Sequence, residues 1–305
     1  MSFLFNFEAP HSEEQDGKSA GCNGSGSNSA VNLETCPKIS AQPAFEVTEF
    51  LNDDITCNVN FEMKSMNFGE HILTVVDTKS VEKKLFEQRD VFLTSNNLIE
   101  AIVSHSDLIT GAYEGGLKVW ECGIDLVKFL SSHPHGTSLE IKGKSILELG
   151  CGAGLPGLYC CKACAQRVDF QDYNEEVLKL LTYTNVKNNI PEAEENKLEN
   201  HFYAGDWASF SELAVKENLR YDVILTAETI YNPGNYAKLH DVFKTTLKEN
   251  GIILLAAKVY YFGVGGSVDS FLEYVSSLNC FSTDVVHSIA EGVPRKIIML
   301  RRLPK

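Results

Sequence analysis

The chain predicts an α/β fold in which a mostly parallel sheet of seven strands carries helices on both faces, behind an amino-terminal extension. Three observations predict it. Apolar runs of strand length alternate with helical patterns from residue 119 onward, and two strand-like runs follow one another directly at the carboxyl end. The first strand of the series also runs straight into a glycine-rich loop that opens a helix, which makes the fold Rossmann-like.

The strands are read at 145–149, 168–171, 201–204, 221–226, 252–257, 281–288 and 296–301. Helices are read at 155–165, 175–188, 235–249 and 268–278. An amphipathic helix at 119–130 precedes them and turns Val119, Ile124, Val127 and Leu130 toward the core. Five strands alternating with helices give a parallel sheet covered on both faces, and the last two close it as a hairpin. Residues 119–305 form the main domain.

Residues 45–118 read as an elaboration packed on that domain, with short strands at 72–76 and 91–93. Residues 1–44 read as a mostly disordered acidic arm: 11–40 are rich in Gly, Ser and Asn, too polar for a core, and 1–7 are aromatic enough to suit a docking tag. The first 60 residues hold nine acids against two lysines, half of the net charge of −14.

At 305 residues and 44% hydrophobic, the chain can bury a sizeable core. Its negative charge argues against nucleic acid as a direct ligand, since phosphate contacts need clustered Lys and Arg, and suits a basic protein partner. Nine cysteines at irregular spacing do not read as a disulfide framework, and no secretory signal is legible at the start. Cys161 and Cys164, preceded by Cys160, have no second Cys or His pair at zinc spacing, so they read as small apolar residues of a helix. No metal is expected. No stretch is apolar for the length of a membrane span, and Lys258 interrupts the best one.

The glycine loop has two readings. Gly152, Gly154 and Gly157 satisfy dinucleotide spacing, with Asp172 about twenty residues on for a ribose. But the glycines begin earlier, at Gly150, and Glu148 breaks the apolar run before them. A buried carboxylate there is costly unless it meets a ligand crevice or amide donors. That arrangement resembles motif I of the seven-strand S-adenosylmethionine-dependent methyltransferases, in which an acid precedes G-x-G-x-G.

In an open α/β sheet the ligand lies beyond the carboxyl ends of the strands. After the second strand, Gln171, Asp172 and Tyr173 offer a carboxylate able to accept both ribose hydroxyls, with Asn174 left to cap the helix. After the third, Gly205, Asp206 and Trp207 offer a carboxylate for an adenine amino group and a ring to pack on it. After the fourth, Glu228, Tyr231 and Asn232 stand in a turn ended by Pro233; an acid-x-x-Tyr of this kind resembles that of protein-methylating enzymes.

The block from Ser104 to Cys122, the Glu148 to Gly154 loop, residues 171–174, residues 225–233 and the run from Tyr261 to Gly266 together resemble the histidine protein methyltransferase homologues, the methyltransferase-like eighteen family. The resemblance covers 104–303. It implies transfer of a methyl group from S-adenosyl-L-methionine to a histidine of the large-subunit ribosomal protein L three. It further implies cofactor contacts at Val119, Trp120, Glu121, Cys122, Glu148, Gly150, Gly152, Gly154, Gln171, Asp172, Tyr173, Gly205, Asp206, Trp207 and Ala227. Glu228 or Asn232 is then expected to orient the target ring, with Tyr231 and Tyr113 as walls. His105 reads as structural, and Lys118 as a helix-start or lid residue. A monomer of the cytoplasm and nucleus is expected, although 191–197 is short and acidic where vertebrate relatives carry an insertion with a nuclear-import-like run. A protein-lysine methyltransferase of the same fold, a ribosome-assembly binding protein and a nicotinamide-dependent oxidoreductase are the alternatives.

Overall fold

The computed structural model describes residues 42–48, 61–87, 104, 106–132, 139–191 and 198–304. The aromatic start and most of the acidic arm, the strand read at 91–93, His105 and the acidic run at 192–197 lie outside the described residues.

The strands are β1 Phe45–Glu46, β2 Met63–Phe68, β3 His71–Val76, β4 Ser145–Leu149, β5 Arg167–Asp172, β6 Glu199–Ala204, β7 Tyr221–Ala227, β8 Leu247–Lys258, β9 Phe281–Ile289 and β10 Arg295–Arg302. Eight of them form one sheet in the order β1-β6-β5-β4-β7-β8-β10-β9. The five inner strands from β6 to β8 are parallel, and β10 and β9 close the sheet antiparallel, as the sequence pattern predicts. The eighth strand is β1, which pairs antiparallel with β6. Two residues carry no readable alternation, so only the backbone pairing reveals it.

Side chains alternate between two cores, one on each face. Ile146, Leu225 and Leu254 enter one, while their neighbours Leu147, Ile224 and Ile253 enter the other. The chain runs from β4 outward to β6, then returns past β4 to β7 and β8 on its other side. The connections on either side of β4 therefore part above its carboxyl end, and this divergence opens a crevice there.

The helices are α1 Thr78–Glu87, α2 Glu121–Ser131, α3 Leu155–Lys162, α4 Glu175–Val177, α5 Tyr183–Asn189, α6 Trp207–Lys216, α7 Tyr236–Thr246 and α8 Val268–Ser277. A π-helical turn, Leu178–Thr182, joins α4 to α5 where one regular helix is predicted. The helix predicted to run to residue 249 ends at Thr246, because Leu247 already pairs with Tyr221. The helix α6 is unassigned in the sequence reading; Asp206 caps it, accepting from Ala208 N at 2.8 Å.

The hairpin of β2 and β3 docks on α5 through two asparagines. Asn185 Oδ1 accepts from Val76 N at 2.8 Å and its amide donates to Ala153 O at 2.8 Å. Asn189 accepts from Thr74 N and donates back to Thr74 O. The hairpin and the glycine loop thus share one helix. Cys160 and Cys161 are buried in the core, as the apolar reading predicts, and Cys164 is exposed.

Candidate active site

β4 delivers Glu148 to the crevice, where its Oε2 accepts from Gly157 N at 2.7 Å in the first turn of α3. A Cβ on Gly157 would lie 2.6 Å from that oxygen, so the contact requires glycine. Burial pushes the Glu148 carboxyl up to about 8, and the nearby Asp172 charge adds to this, while the Gly157 N–H opposes it. The amide donor explains how a carboxyl is tolerated in an apolar strand.

Gly150, Gly152 and Gly154 all take positive φ, at 59°, 51° and 72°. A Cβ on Gly152 would approach Gly116 O to 3.1 Å, so the bare loop lets the opposite segment close down on it. Gly152 N donates to Asp172 Oδ2 at 2.8 Å, and the other Asp172 oxygen accepts from Asn174 N at 3.1 Å. Burial raises the Asp172 carboxyl to about 6 against these two donors. The π-turn supplies Thr182, whose hydroxyl donates to Gly152 O at 2.6 Å and holds the loop from behind.

Asn174 does not cap its helix through its side chain. Its Oδ1 accepts from Glu114 N at 3.1 Å and its amide donates to Ala112 O at 2.8 Å. The Tyr173 hydroxyl donates to Gly111 O at 2.8 Å. Residues 111–116 are thereby laid over the cavity. Glu114 reaches across it: one carboxylate oxygen accepts from Gly111 N at 2.7 Å and the other from the Tyr231 hydroxyl. Lys118 sits beside this segment, 2.7 Å from Asp107 and 4.4 Å from the Trp120 ring centroid, consistent with a lid residue.

On the opposite wall, Glu228 follows β7 with φ of 59°, a left-handed conformation that costs a non-glycine residue about 1 kcal/mol. Its N–H donates to Ala256 O at 3.0 Å, which fixes the kink and turns the carboxylate into the cavity. Neither carboxylate oxygen accepts a hydrogen bond of standard geometry, and Lys258 Nζ stands 3.4 Å from Oε1.

The cavity so enclosed measures about 240 Å³. Of the residues expected at it, Val119, Trp120, Glu148, Gly150, Gly152, Asp172, Tyr173, Gly205, Asp206, Trp207, Ala227, Glu228 and Tyr231 line it. Glu121, Cys122, Gly154, Gln171, Asn232 and Tyr113 do not. Gln171 is fully buried behind the wall, accepting from Trp207 Nε1 and donating to Gly205 O, both at 2.8 Å. Gly154 faces Thr182 and Phe170, and Cys122 is buried in the core of α2. Glu121 is drawn to Lys258 at 3.6 Å. Asn232 caps the 3-10 turn Pro233–Asn235, accepting from Gly234 N at 2.9 Å. The Tyr113 hydroxyl accepts from Leu117 N at 2.9 Å behind the lid. Asp206 lines the cavity but is also committed to its helix cap and to Lys238 at 2.7 Å. Glu114, Thr229 and Lys238 are cavity residues that sequence reasoning missed. The signal for Glu114 was its place in the long block before α2 and for Thr229 its place in a strand-end loop, whereas Lys238, inside α7, carried none.

A family profile described as "Lysine methyltransferase" matches residues 108–265, just over half of the chain. A histidine protein methyltransferase 1 homolog of Bos taurus is 40% identical over 232 residues, covering 69% of this chain and 61% of its own. One of Rattus norvegicus is 38% identical over 249 residues, covering 74% and 66%, and one of Dictyostelium discoideum is 41% identical over 194 residues, covering 64% and 59%. The chain thus spans about three fifths to two thirds of the length of these relatives. The site fits S-adenosylmethionine: bare backbone at Gly150 and Gly152 for close approach, the Asp172 carboxylate for ribose hydroxyls, the Trp207 ring for a base, and the Glu228 carboxylate, paired with Lys258, on the facing wall. With the lid, the glycine loop and the strand-end acids all inside the matched segment, the chain belongs to this family of S-adenosylmethionine-dependent methyltransferases, to which the histidine protein methyltransferase 1 homologues are related by sequence.

Proposed function

We propose that this chain is a protein-histidine N-methyltransferase that methylates a histidine of the large-subunit ribosomal protein L three. The observation that carries the reading is the 38–41% identity with the histidine protein methyltransferase 1 homologues. The chemistry of the cavity supports it. When bound, S-adenosylmethionine supplies a sulfonium methyl that is already electrophilic, so the residues here have only to place and orient the nucleophile. A histidine has an unperturbed pKa of about 6.5 and is largely neutral near pH 7, whereas a lysine, at about 10.4, must first lose a proton. Glu114, Glu228 and Asp172 around one cavity favour keeping a lysine charged, and a charged amine is no nucleophile. A carboxylate of the cavity can accept the far ring N–H of an imidazole and so select which nitrogen faces the methyl.

A lysine acceptor is the second reading, favoured by the match of residues 108–265 to a lysine methyltransferase family. A ribosomal-protein substrate would place a monomeric enzyme in the cytoplasm and nucleus; among the described residues no helix is long and apolar enough to cross a membrane. The test is to incubate the purified protein with labelled S-adenosylmethionine and ribosomal proteins from cells lacking the enzyme, then map the label by peptide mass spectrometry. Label on one histidine of the L three protein is expected. Label on lysine selects the second reading, and cofactor binding without any label points to a different substrate or to a binding role.

A further inference from the structure

Glu114 and Tyr231 meet across the mouth of the cavity, and each is held from its own side. The lid segment carrying Glu114 is tied to the cofactor wall by Asn174 and Tyr173. Tyr231 is held from the other direction: its carbonyl accepts from Gly266 N at 2.9 Å, and its ring stands edge-on to Tyr261 with centroids 6.4 Å apart. Burial, with the facing Glu114 carboxylate, pushes the Tyr231 phenol well above its ordinary value, so the phenol donates and the carboxylate accepts. Glu228 differs, because its carboxylate already has a fixed partner, the buried Lys258 ammonium 3.4 Å from Oε1.

We propose that Glu114 is a catalytic residue, the carboxylate that accepts the ring N–H of the target histidine, with Tyr231 and Gly111 fixing its orientation. The inference rests on the histidine reading above. As one ring nitrogen forms its N–C bond to the methyl carbon, the C–S electron pair stays with the departing sulfur, and the proton on the other ring nitrogen passes to Glu114 and then to water. The Tyr231 hydroxyl keeps one lone pair of Glu114 Oε2 and the ring N–H takes the other.

Two variants separate this role from that of a mere latch. In Glu114→Gln the amide oxygen still accepts from Gly111 N and the amide nitrogen donates to the Tyr231 oxygen, so the lid stays shut without a base. Tyr231→Phe opens the latch and leaves the carboxylate. Each full-length protein is assayed on purified L three protein for kcat, KM and pH profile, with S-adenosylmethionine affinity by calorimetry. Glu114→Gln is expected to lower kcat by about 10²-fold or more, the usual scale for losing a general base, with cofactor affinity within about threefold. Tyr231→Phe is expected to lose only about tenfold in kcat, with KM and cofactor affinity close to wild type. Glu114→Gln with kcat within about threefold of wild type overturns the proposal. So does parallel loss of activity, cofactor affinity and melting temperature in both variants, which would mark a structural latch. Wild-type label on lysine instead of histidine removes the histidine reading and this inference with it, and is seen before any variant is made.

Discussion

The Lys258 ammonium lies 3.4 Å from the Glu228 carboxylate, with both side chains all but closed to solvent at the carboxyl end of the sheet. Removing one partner of such a pair leaves an uncompensated buried charge, at a cost of about 3–5 kcal/mol, whereas replacing both is nearly neutral. Lys258→Met should therefore destabilise the fold by that order in urea denaturation, and adding Glu228→Gln should recover most of the loss. A single variant as stable as wild type would show that the pair is not buried in solution.

Two of the raised carboxyls, Glu148 and Asp172, bear on different measurements, stability and cofactor binding. Glu148 keeps its proton in the folded state up to about 8 but loses it near 4.5 when unfolded, so its favourable contribution is complete below 4.5 and is lost as pH rises toward 8. Glu148→Gln keeps an oxygen for Gly157 N and should flatten this slope, leaving the variant more stable than wild type at pH 8 by a few kcal/mol at most, about 1.4 kcal/mol per unit. For Asp172 we propose an effect on binding: its carboxyl, raised to about 6, would accept ribose hydroxyls best when ionised. Cofactor affinity should fall as pH drops below 6, and Asp172→Asn should bind weakly at every pH. Calorimetry from pH 5 to 8 checks both.

Strands β4, β7, β8 and β10 were legible because each carries a buried apolar run in which neighbours such as Ile146 and Leu147, or Ile224 and Leu225, fill opposite cores. The glycine loop and Asp172 were legible because bare backbone and a carboxylate at strand ends have few other uses. Asn232, Gln171 and Tyr113 have the right chemistry at nearly the right place, but each is spent on a neighbour: a 3-10 turn, the Trp207 indole and Leu117 N. One residue along a turn decides such assignments, and periodicity does not resolve it. Glu114 was illegible for the converse reason, since it enters the site through contacts with Asn174 and Tyr231, 60 and 117 residues away in the chain.

Asn185 is completely buried between Val76 N and Ala153 O. Asn185→Ala leaves a buried donor and a buried acceptor unpaired, each worth about 1–3 kcal/mol. The expected result is a loss of about 2–5 kcal/mol, with hydrogen exchange at Val76 and Thr74 rising before that of β4 to β8. Unchanged protection at Val76 would mean that the hairpin is held by packing alone.

Gly266 sits under the turn that carries Glu228 and Tyr231, where a Cβ would lie 2.1 Å from Ile230 O and 2.4 Å from Tyr231 O. Those are backbone atoms, so they cannot swing aside as a side chain would, and Gly266→Ala must push the Tyr261–Gly266 loop away from Tyr231. The neighbouring Gly265 provides the control: at φ of 85° with open space around its would-be Cβ, alanine there costs about 1 kcal/mol of backbone strain and displaces nothing. Gly266→Ala should lower methyl transfer about 100-fold, the scale of a misplacement near 1 Å, while the glycine loop on β4 keeps cofactor affinity within about threefold. Gly265→Ala should keep most of its turnover. Equal turnover in the two variants would show that the loop yields at Gly266 without moving Tyr231, and that the turn bearing Glu228 and Tyr231 takes its position from β7 alone.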